Sequence, residues 1–257
     1  MLVLLLIPIF TSSLLDLEQK KANESLTAQE RAKKEAEEKI YLTGKFDPSV
    51  REDFVVVPKE LSTGNDHMYL RKETMEAFSK MAKAASEEKI ILKIASATRN
   101  FDYQRNLWNN KWTGVTLVEG QNLSTSIPDG LMRFKKILEY SAAPGTSRHH
   151  FGTDIDINGA DLGYFETEKG MMTYQWLVKN AGSYGFCQPY NLKGSSRGTG
   201  YNEEKWHWSY LPLSKNFTQE YARLIKNEDI KGFQGDEYVA QQDVINNYVL
   251  SINPECL

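Results

Sequence analysis

Cysteine and histidine are scarce in this sequence, whose 257 residues include two cysteines and four histidines. Cys187 and Cys256 form no CxxC pair, which excludes a metal centre built on thiolates. A net charge of -3 leaves no broad basic surface, so nucleic acid is not expected as a partner. A glycine-rich phosphate loop is also missing, because Gly198 and Gly200 lack the strand, helix and spacing of a dinucleotide fingerprint.

Long hydrophobic runs are rare as well, and the clearest one lies at residues 2–10. That run is too short for a membrane helix of about 20 residues, but it has the length of the apolar part of a signal peptide. We therefore expect residues 1–16 to direct export, although no Lys or Arg precedes the run and no A-x-A cleavage site follows it. In an exported protein, a disulfide between Cys187 and Cys256 would tie the C-terminal tail to the body.

The rest of the chain has the composition of a globular protein, with 40% apolar and 25% charged residues. Residues 17–40 are mostly charged helix formers with few large apolar groups, which predicts a helical spacer. Residues 41–257 are expected to form one folded body with a helical C-terminal tail. Within this body, helical and strand patterns are mixed without a regular βαβ rhythm, which predicts an α+β fold.

Apolar periodicity predicts the main elements of the body. Residues 70–85 have helical spacing, and residues 90–96 form an apolar run typical of a buried strand. Residues 153–157 alternate polar and apolar side chains, as a half-buried strand does. A last strand is expected at residues 206–211, and one more helix in the tail at residues 237–250.

Three of the four histidines lie in two short segments that also carry carboxylates. His149 and His150 precede a strand with Asp154 and Asp156, and His207 lies in the last strand. Because alternate strand residues share a face, Asp154 and Asp156 point the same way, and periodicity does not choose between them as ligands. Imidazole and carboxylate groups suit zinc, and three protein ligands leave a fourth position open, as catalytic zinc sites require.

A hydrolase with such a site also needs a base that takes a proton from the attacking water. Glu203 and Glu204 both lie near His207, and Glu204, three positions upstream, is better placed if the chain turns there. His149 and His150 are adjacent, so they are not expected to point the same way unless a loop bends between them.

The spacing of these residues resembles that of the zinc D-alanyl-D-alanine carboxypeptidases, a family related to lysostaphin-type peptidases and to the hedgehog fold. One family motif matches Ser147, His149, Gly152 and Asp156, and a second matches Glu204, Trp206 and His207. A third segment, in which an arginine follows a buried strand, matches Ser96, Arg99, Tyr103, Gln104 and Leu107.

The resemblance implies a small central antiparallel sheet flanked by helices and a site that holds one Zn²⁺ ion. By the motif match, the zinc ligands are His149, Asp156 and His207. Glu204 is then the catalytic base, and Arg99 is a catalytic cation that stabilises the oxyanion or holds a substrate carboxylate. The resemblance further implies that Gln104 and Ser147 bind the substrate. Position 154 is often a small residue in the family, so Asp154 is a departure from the pattern.

The resemblance also implies a function, namely removal of the terminal D-alanine from peptidoglycan stem peptides. The expected protein is an exported monomer of the periplasm or cell envelope, with no membrane span after signal cleavage. Two alternatives stay open: a dipeptidase or endopeptidase with the same zinc site, and a non-catalytic zinc-binding protein.

Overall fold

The computed structural model describes residues 27–64, 67–194 and 196–257. The predicted export signal at residues 1–16 lies outside these ranges, as does the first part of the predicted spacer. No helix in the described ranges is both long enough and apolar enough to cross a membrane.

The described chain divides at Lys39 into two compact units. A helix covers residues 27–42 (α1). The second unit, Ile40–Leu257, contains all the candidate site residues and mixes helices with short strands, which confirms the predicted α+β class. Its described strands are β1 (Phe54–Val56), β2 (Tyr69–Arg71), β3 (Ile94–Ser96), β4 (Asp154–Ile157), β5 (Phe186–Cys187) and β6 (His207–Tyr210). Its described helices are α2 (Lys72–Glu87), α3 (Phe101–Thr113), α4 (Leu123–Ser126), α5 (Gly130–Leu138), α6 (Leu162–Glu166), α7 (Glu168–Asn180) and α8 (Leu211–Leu224).

Four strands form an antiparallel sheet in the order β3-β4-β6-β5, and β1 and β2 form a separate antiparallel pair. This arrangement confirms the small antiparallel sheet that the family resemblance implies. The register places Asp156 opposite His207 and Asp154 opposite Ser209 at the centre of the larger sheet. Two segments that are 51 residues apart in sequence, counted from Asp156 to His207, thus meet by backbone pairing.

The two faces of this sheet differ in chemistry. Ile155, Ile157 and Trp208 are buried in one apolar cluster with side chains of α2 and α7, including Phe78 and Leu177. Because side chains alternate along a strand, the residues between them point to the opposite face. That face carries the buried polar side chains of Asp154, Asp156, His207 and Ser209. The strand pattern therefore delivers a polar site onto one face and an apolar core onto the other.

The predicted tail helix at residues 237–250 is wrong. The structure instead has a 3-10 turn at Asp236–Tyr238 and a five-residue π-helix at Ile245–Val249. Asp243 interrupts the helix with a φ of +42°, a left-handed conformation that ends a right-handed helix. Its carboxylate accepts hydrogen bonds from the amides of Asn227 and Asn246, which hold this break in place.

The tail nevertheless belongs to the folded body. Val239, Val244 and Val249 are buried in a second apolar cluster that includes Trp108 of α3. Cys187 in β5 and Cys256 near the C-terminus form a disulfide with a Cα–Cα distance of 5.8 Å. The tie between tail and body expected for an exported protein is therefore present.

Candidate metal centre

His149, Asp156 and His207 come together at the centre of the polar sheet face. Each offers one ligand atom, and these atoms all lie within 4.8 Å of one another. Asp156 and His207 are brought together by the pairing of β4 and β6, whereas His149 lies in the 3-10 turn Arg148–Phe151 before β4. Gly152 ends that turn with a φ of +76°, and a Cβ there would clash with the Phe54 ring. Glycine at this bend is thus required both by backbone conformation and by space.

His149 is oriented so that one ring nitrogen faces Asp156. Its Nδ1 lies 2.8 Å from the Ala97 carbonyl oxygen. Because a carbonyl oxygen can only accept a hydrogen bond, Nδ1 is the ring nitrogen that carries the proton. Nε2 then carries the lone pair and lies 3.3 Å from Asp156 Oδ1. Burial, together with the charge on Arg99, lowers the pKa of His149 to about 4, so the ring is the neutral form that binds metals.

His207 is held in the same manner by Asp154. Its Nε2 donates to Asp154 Oδ1 at 3.0 Å, while Nδ1 lies 3.5 Å from Asp156 Oδ1 and 3.2 Å from Glu204 Oε2. Burial opposes a charged ring, but hydrogen bonds to Asp154 and Glu204 and the charge on Asp156 outweigh it. They raise the pKa of His207 to about 9. The carboxylates around Nδ1 therefore favour a positive charge next to this nitrogen.

The three residues fit a bound cation. His149 Nε2 and Asp156 Oδ1 are both buried and have no hydrogen-bond partner, a costly condition for polar atoms. Two imidazole nitrogens and one carboxylate oxygen are ligands that zinc accepts, and second hydrogen bonds on both rings are typical of zinc-binding histidines. The predicted ligands are thus brought together in an arrangement suited to zinc.

Asp154 has different partners from Asp156 and is not among the three clustered ligand atoms. Its Oδ1 accepts hydrogen bonds from Arg148 Nε at 2.9 Å and from His207 Nε2, and its Oδ2 accepts one from Thr153. Burial disfavours its charge, but the Arg148 guanidinium and His207 outweigh burial and lower the pKa of Asp154. Asp154 therefore orients His207 rather than joining the group of ligand atoms.

Glu204 and Glu203 face different partners. Glu204 is buried, and its Oε2 lies 3.2 Å from His207 Nδ1, beside the ligand atoms. Burial raises the pKa of Glu204, despite the opposing hydrogen bond with His207. Glu203 instead accepts a hydrogen bond from the Tyr174 hydroxyl at 3.1 Å. The structure thus brings Glu204, and not Glu203, to the predicted site of catalysis.

The other predicted residues also lie around the ligand group. Arg99 places Nη2 3.2 Å from Asp156 Oδ2 and Nη1 3.3 Å from the Gln104 side-chain oxygen. Gln104 donates in turn to the Ala142 carbonyl. Ser147 Oγ accepts a hydrogen bond from the His149 amide at 3.3 Å. Arg99 and Ser147 therefore contact Asp156 and His149 directly, and Gln104 contacts Arg99.

His150 supports the site from outside the ligand set. Its Nδ1 donates to the Arg99 carbonyl at 2.6 Å, and its Nε2 accepts from the Gly145 amide at 3.1 Å. Burial lowers the pKa of His150 to about 3, so it remains neutral. Gly44 packs so closely on this ring that a Cβ would clash with it. His150 therefore fixes the backbone from which the Arg99 side chain extends.

The three predicted ligands and Glu204 line a cavity of about 260 Å³. Several residues that sequence reasoning did not assign to the site also line it, namely Lys111, Tyr140, Ser141, Tyr190 and Tyr201. Lys111 lies one turn after Leu107 and two turns after Gln104 on α3, and that helical spacing was the available signal. A second depression of about 440 Å³ shares Ser96, Arg99 and Tyr103 with this cavity.

Comparison with known families gives a match over residues 67–213 to the family described as VanY, D-alanyl-D-alanine carboxypeptidase. The putative carboxypeptidase YodJ of Bacillus subtilis (strain 168) is 29% identical over 193 residues. That match covers 74% of this chain and 61% of YodJ, so the chain spans less than two thirds of that relative.

A D-alanyl-D-alanine carboxypeptidase of Enterococcus faecalis (strain ATCC 700802 / V583) is 40% identical over 72 residues, covering 28% of this chain and 25% of the relative. Among solved structures, the LdcB LD-carboxypeptidase is similar with 24% identity and a TM-score of 0.49. That similarity covers 71% of this chain and 81% of the LdcB chain.

Proposed function

The chain belongs to the VanY family of D-alanyl-D-alanine carboxypeptidases, and we propose on that premise that it removes the terminal D-alanine from peptidoglycan stem peptides with the help of zinc. One observation carries the proposal. His149 Nε2 and Asp156 Oδ1, both buried and unpaired, face His207 and the buried Glu204 in one cavity. A binding protein needs no buried proton acceptor beside its metal ligands, which favours a catalytic role over a purely structural one.

His149, Asp156 and His207 would hold one zinc ion. When bound, zinc supplies a Lewis acid that polarises the scissile carbonyl and makes water more acidic. The chain's own residues prepare that site, because Ala97 and Asp154 fix the two rings with their lone pairs directed inward.

Glu204 moves the protons of the reaction. Its carboxylate accepts one proton from the attacking water, whose oxygen bonds to the carbonyl carbon of the scissile amide. Glu204 then delivers that proton to the amide nitrogen as the C–N bond breaks. The second proton of the water passes from the new carboxyl group to the released amine, so the products are a shortened peptide with a new carboxylate and free D-alanine with an ammonium group. The raised pKa of Glu204, caused by burial, suits a group that must both accept and return a proton.

Arg99 stabilises the negative charge that develops on the carbonyl oxygen. Its guanidinium lines the cavity, and its Nε is buried without a hydrogen-bond partner. A fixed cation directed at developing charge lowers the barrier without reorganisation. Gln104 orients this guanidinium, and the Ser147 hydroxyl lies at the cavity wall, where it contacts the substrate backbone.

Export is part of the same proposal. Peptidoglycan lies outside the cytoplasm, and the disulfide between Cys187 and Cys256 is a feature of proteins that fold in oxidising compartments. The apolar run at residues 2–10 has the length expected of a signal peptide. We expect a monomeric protein in the periplasm or cell envelope.

A substrate series tests the proposal. Zinc-loaded protein is incubated separately with a stem pentapeptide ending in D-Ala-D-Ala, the corresponding tetrapeptide and a crosslinked muropeptide dimer, and products are identified by mass spectrometry. The proposal predicts loss of one alanine from the pentapeptide as the fastest reaction. Release of a dipeptide, faster cleavage of the tetrapeptide or cleavage of the crosslink would contradict the proposed activity and indicate a related peptidase activity instead. No cleavage of any substrate would favour a non-catalytic zinc-binding protein.

A further inference from the structure

Helix α3 presents a further cation, Lys111, to the cavity that Arg99 and Arg148 also line. Gln104, Leu107 and Lys111 follow one another along one face of this helix, and all three line the cavity. The Lys111 ammonium donates a hydrogen bond to the hydroxyl of Ser141, which lies in the segment after α5. Two separate segments of the chain thus combine a positive charge and a hydroxyl at the same part of the cavity wall.

Lys111 has no carboxylate within 4.0 Å in the part of the chain that the structure describes. The contrast with Lys136 on α5 is clear, because that ammonium pairs with Glu119 at 3.0 Å and with Glu139 at 2.8 Å. Arg99 and Arg148 also line the cavity, but Arg99 contacts Asp156, and Arg148 contacts Asp154. Lys111 is therefore the cation in the cavity whose charge is not matched by a contacting acid.

The setting of Lys111 disfavours its charge. Burial is the main cause that lowers the pKa of Lys111, and the positive charge on Arg99 adds to it. Glu204 acts in the opposite direction, but its carboxylate is engaged with His207. A lysine with an ordinary solvated head would avoid this cost, because long side chains usually extend their charge into water. An anion bound beside Lys111 would remove the penalty.

We propose that Lys111, together with Ser141, binds the free C-terminal carboxylate of the peptide substrate. This inference rests on the proposed carboxypeptidase function, in which the leaving residue carries that carboxylate next to the scissile amide. It assigns to Lys111 the anchoring role that the sequence resemblance left open for Arg99. Arg99, held by Asp156, then remains directed at the reacting carbonyl. Lys111 thereby selects a chain end over an internal peptide bond.

The test measures binding and turnover of two peptides that differ only at their ends. One is a pentapeptide ending in D-Ala-D-Ala with a free carboxylate, and the other is its C-terminal amide. Binding is measured by calorimetry on the zinc-loaded Glu204→Gln variant, which isolates recognition from hydrolysis. Lys111→Met and Lys111→Arg are then introduced into this background and into the otherwise unchanged protein. Lys136→Met is the matched control, because it removes a lysine that is not among the residues lining the cavity and already has two acidic partners.

The inference predicts that Lys111→Met weakens binding of the carboxylate peptide roughly 10- to 100-fold, the range for a hydrogen bond to a charged group. Binding of the amide should change little, so the preference for the free carboxylate should largely disappear. Lys111→Arg should preserve most of it, and Lys136→Met all of it. KM for the carboxylate peptide should rise in parallel while kcat changes less.

An unchanged ratio between the two peptides in Lys111→Met, with zinc content and folding intact, would overturn the inference even if hydrolysis proceeds. Conversely, carboxylate-selective binding that depends on Lys111 in a protein that hydrolyses neither peptide would support the anchor. That second result would refute the proposed function alone, so the two failures are distinguishable.

Discussion

Asp154 and His207 form a buried hydrogen bond of 3.0 Å between adjacent strands of the central sheet. Asp154 is held from its other side by Arg148, whose Nε donates at 2.9 Å and whose side chain is fully buried. Arg148 also donates to Thr218 and Ser209, at 2.8 Å each. A chain of contacts thus leads from α8 through Arg148 and Asp154 to the ring that presents Nδ1 to Asp156.

Removing only the arginine of this chain should destabilise the fold. Arg148→Met removes the guanidinium that pairs with the buried Asp154 carboxylate, and breaking such a pair costs about 3–5 kcal/mol. We expect this loss in the free energy of unfolding, measured by urea denaturation of the metal-free protein. The double variant Arg148→Met/Asp154→Ala removes both charges and should recover most of the loss. A single variant as stable as the unchanged protein would show that the pair is not structurally important.

The same double variant should bind zinc less tightly. Without Asp154, nothing fixes the His207 ring through Nε2, and loss of such a supporting group typically weakens metal affinity about 10- to 100-fold. Competition with a chromophoric chelator measures this affinity. Glu76→Gln, which alters an exposed carboxylate on α2, serves as the control and should leave zinc affinity unchanged. Equal affinities in the double variant and the control would show that Asp154 does not orient a ligand.

The disulfide should stabilise the fold without taking part in catalysis. Cys187 and Cys256 are 69 residues apart in sequence, and closing a long loop limits the unfolded chain. Replacing both cysteines by serine should lower the free energy of unfolding by roughly 2–4 kcal/mol. Thermal unfolding with and without a reductant measures the effect. Reductant should destabilise the unchanged protein and leave the double-serine variant unaffected; equal sensitivity of both proteins would contradict this prediction.

Asp53 should make stability depend on pH below neutrality. Burial disfavours its charge, but hydrogen bonds from Arg51 and the nearby charge of Arg71 outweigh it and lower the pKa of Asp53. A lowered pKa means that the stabilisation is present above the pKa of the unfolded carboxyl group. It is lost as the pH falls through the lowered value. Asp53→Asn should therefore lose less stability than the unchanged protein as the pH falls from 5 to 3.

Urea midpoints at pH 7, 5 and 3 test this expectation for both proteins. This pH range spans the pKa of an ordinary carboxyl group, which is about 4. Parallel losses in the two proteins would show that the Asp53 contacts do not contribute to acid sensitivity. The effect should be modest, because Asp53 is partly exposed and its ion pairs are screened by solvent.

Local pattern was sufficient to predict one feature of the site and one element of the fold. Alternation along β4 correctly placed Asp154 and Asp156 on one face, and both contact His207 from there. Helical spacing predicted α2 at residues 70–85, and the helix lies at Lys72–Glu87. These features depend on neighbours in sequence, for which periodicity is a direct record of burial.

Long-range contacts could not be predicted in the same way. The choice between Asp154 and Asp156 depends on Arg148, which reaches Asp154 only because the turn before β4 folds back over the strand. Helical spacing places Lys111 on the same face of α3 as Gln104, but it does not predict the contact of Lys111 with Ser141, 30 residues away. The prediction of the tail helix was wrong for a related reason. Asp243 adopts a left-handed conformation there and contacts Asn227, which is distant in sequence. Such contacts leave no periodic trace in the sequence.

D-alanine release by zinc-loaded protein from a pentapeptide ending in D-Ala-D-Ala tests the central claim most directly, with Glu204→Gln and Glu203→Gln measured side by side. Glu203 is the matched control, because it neighbours Glu204 but contacts Tyr174. The account predicts release by the unchanged protein and by Glu203→Gln. It predicts a loss of roughly 10²- to 10⁴-fold in Glu204→Gln with zinc still bound, the range for general acid–base catalysis. Full activity in Glu204→Gln, or release that does not depend on zinc, would contradict the account.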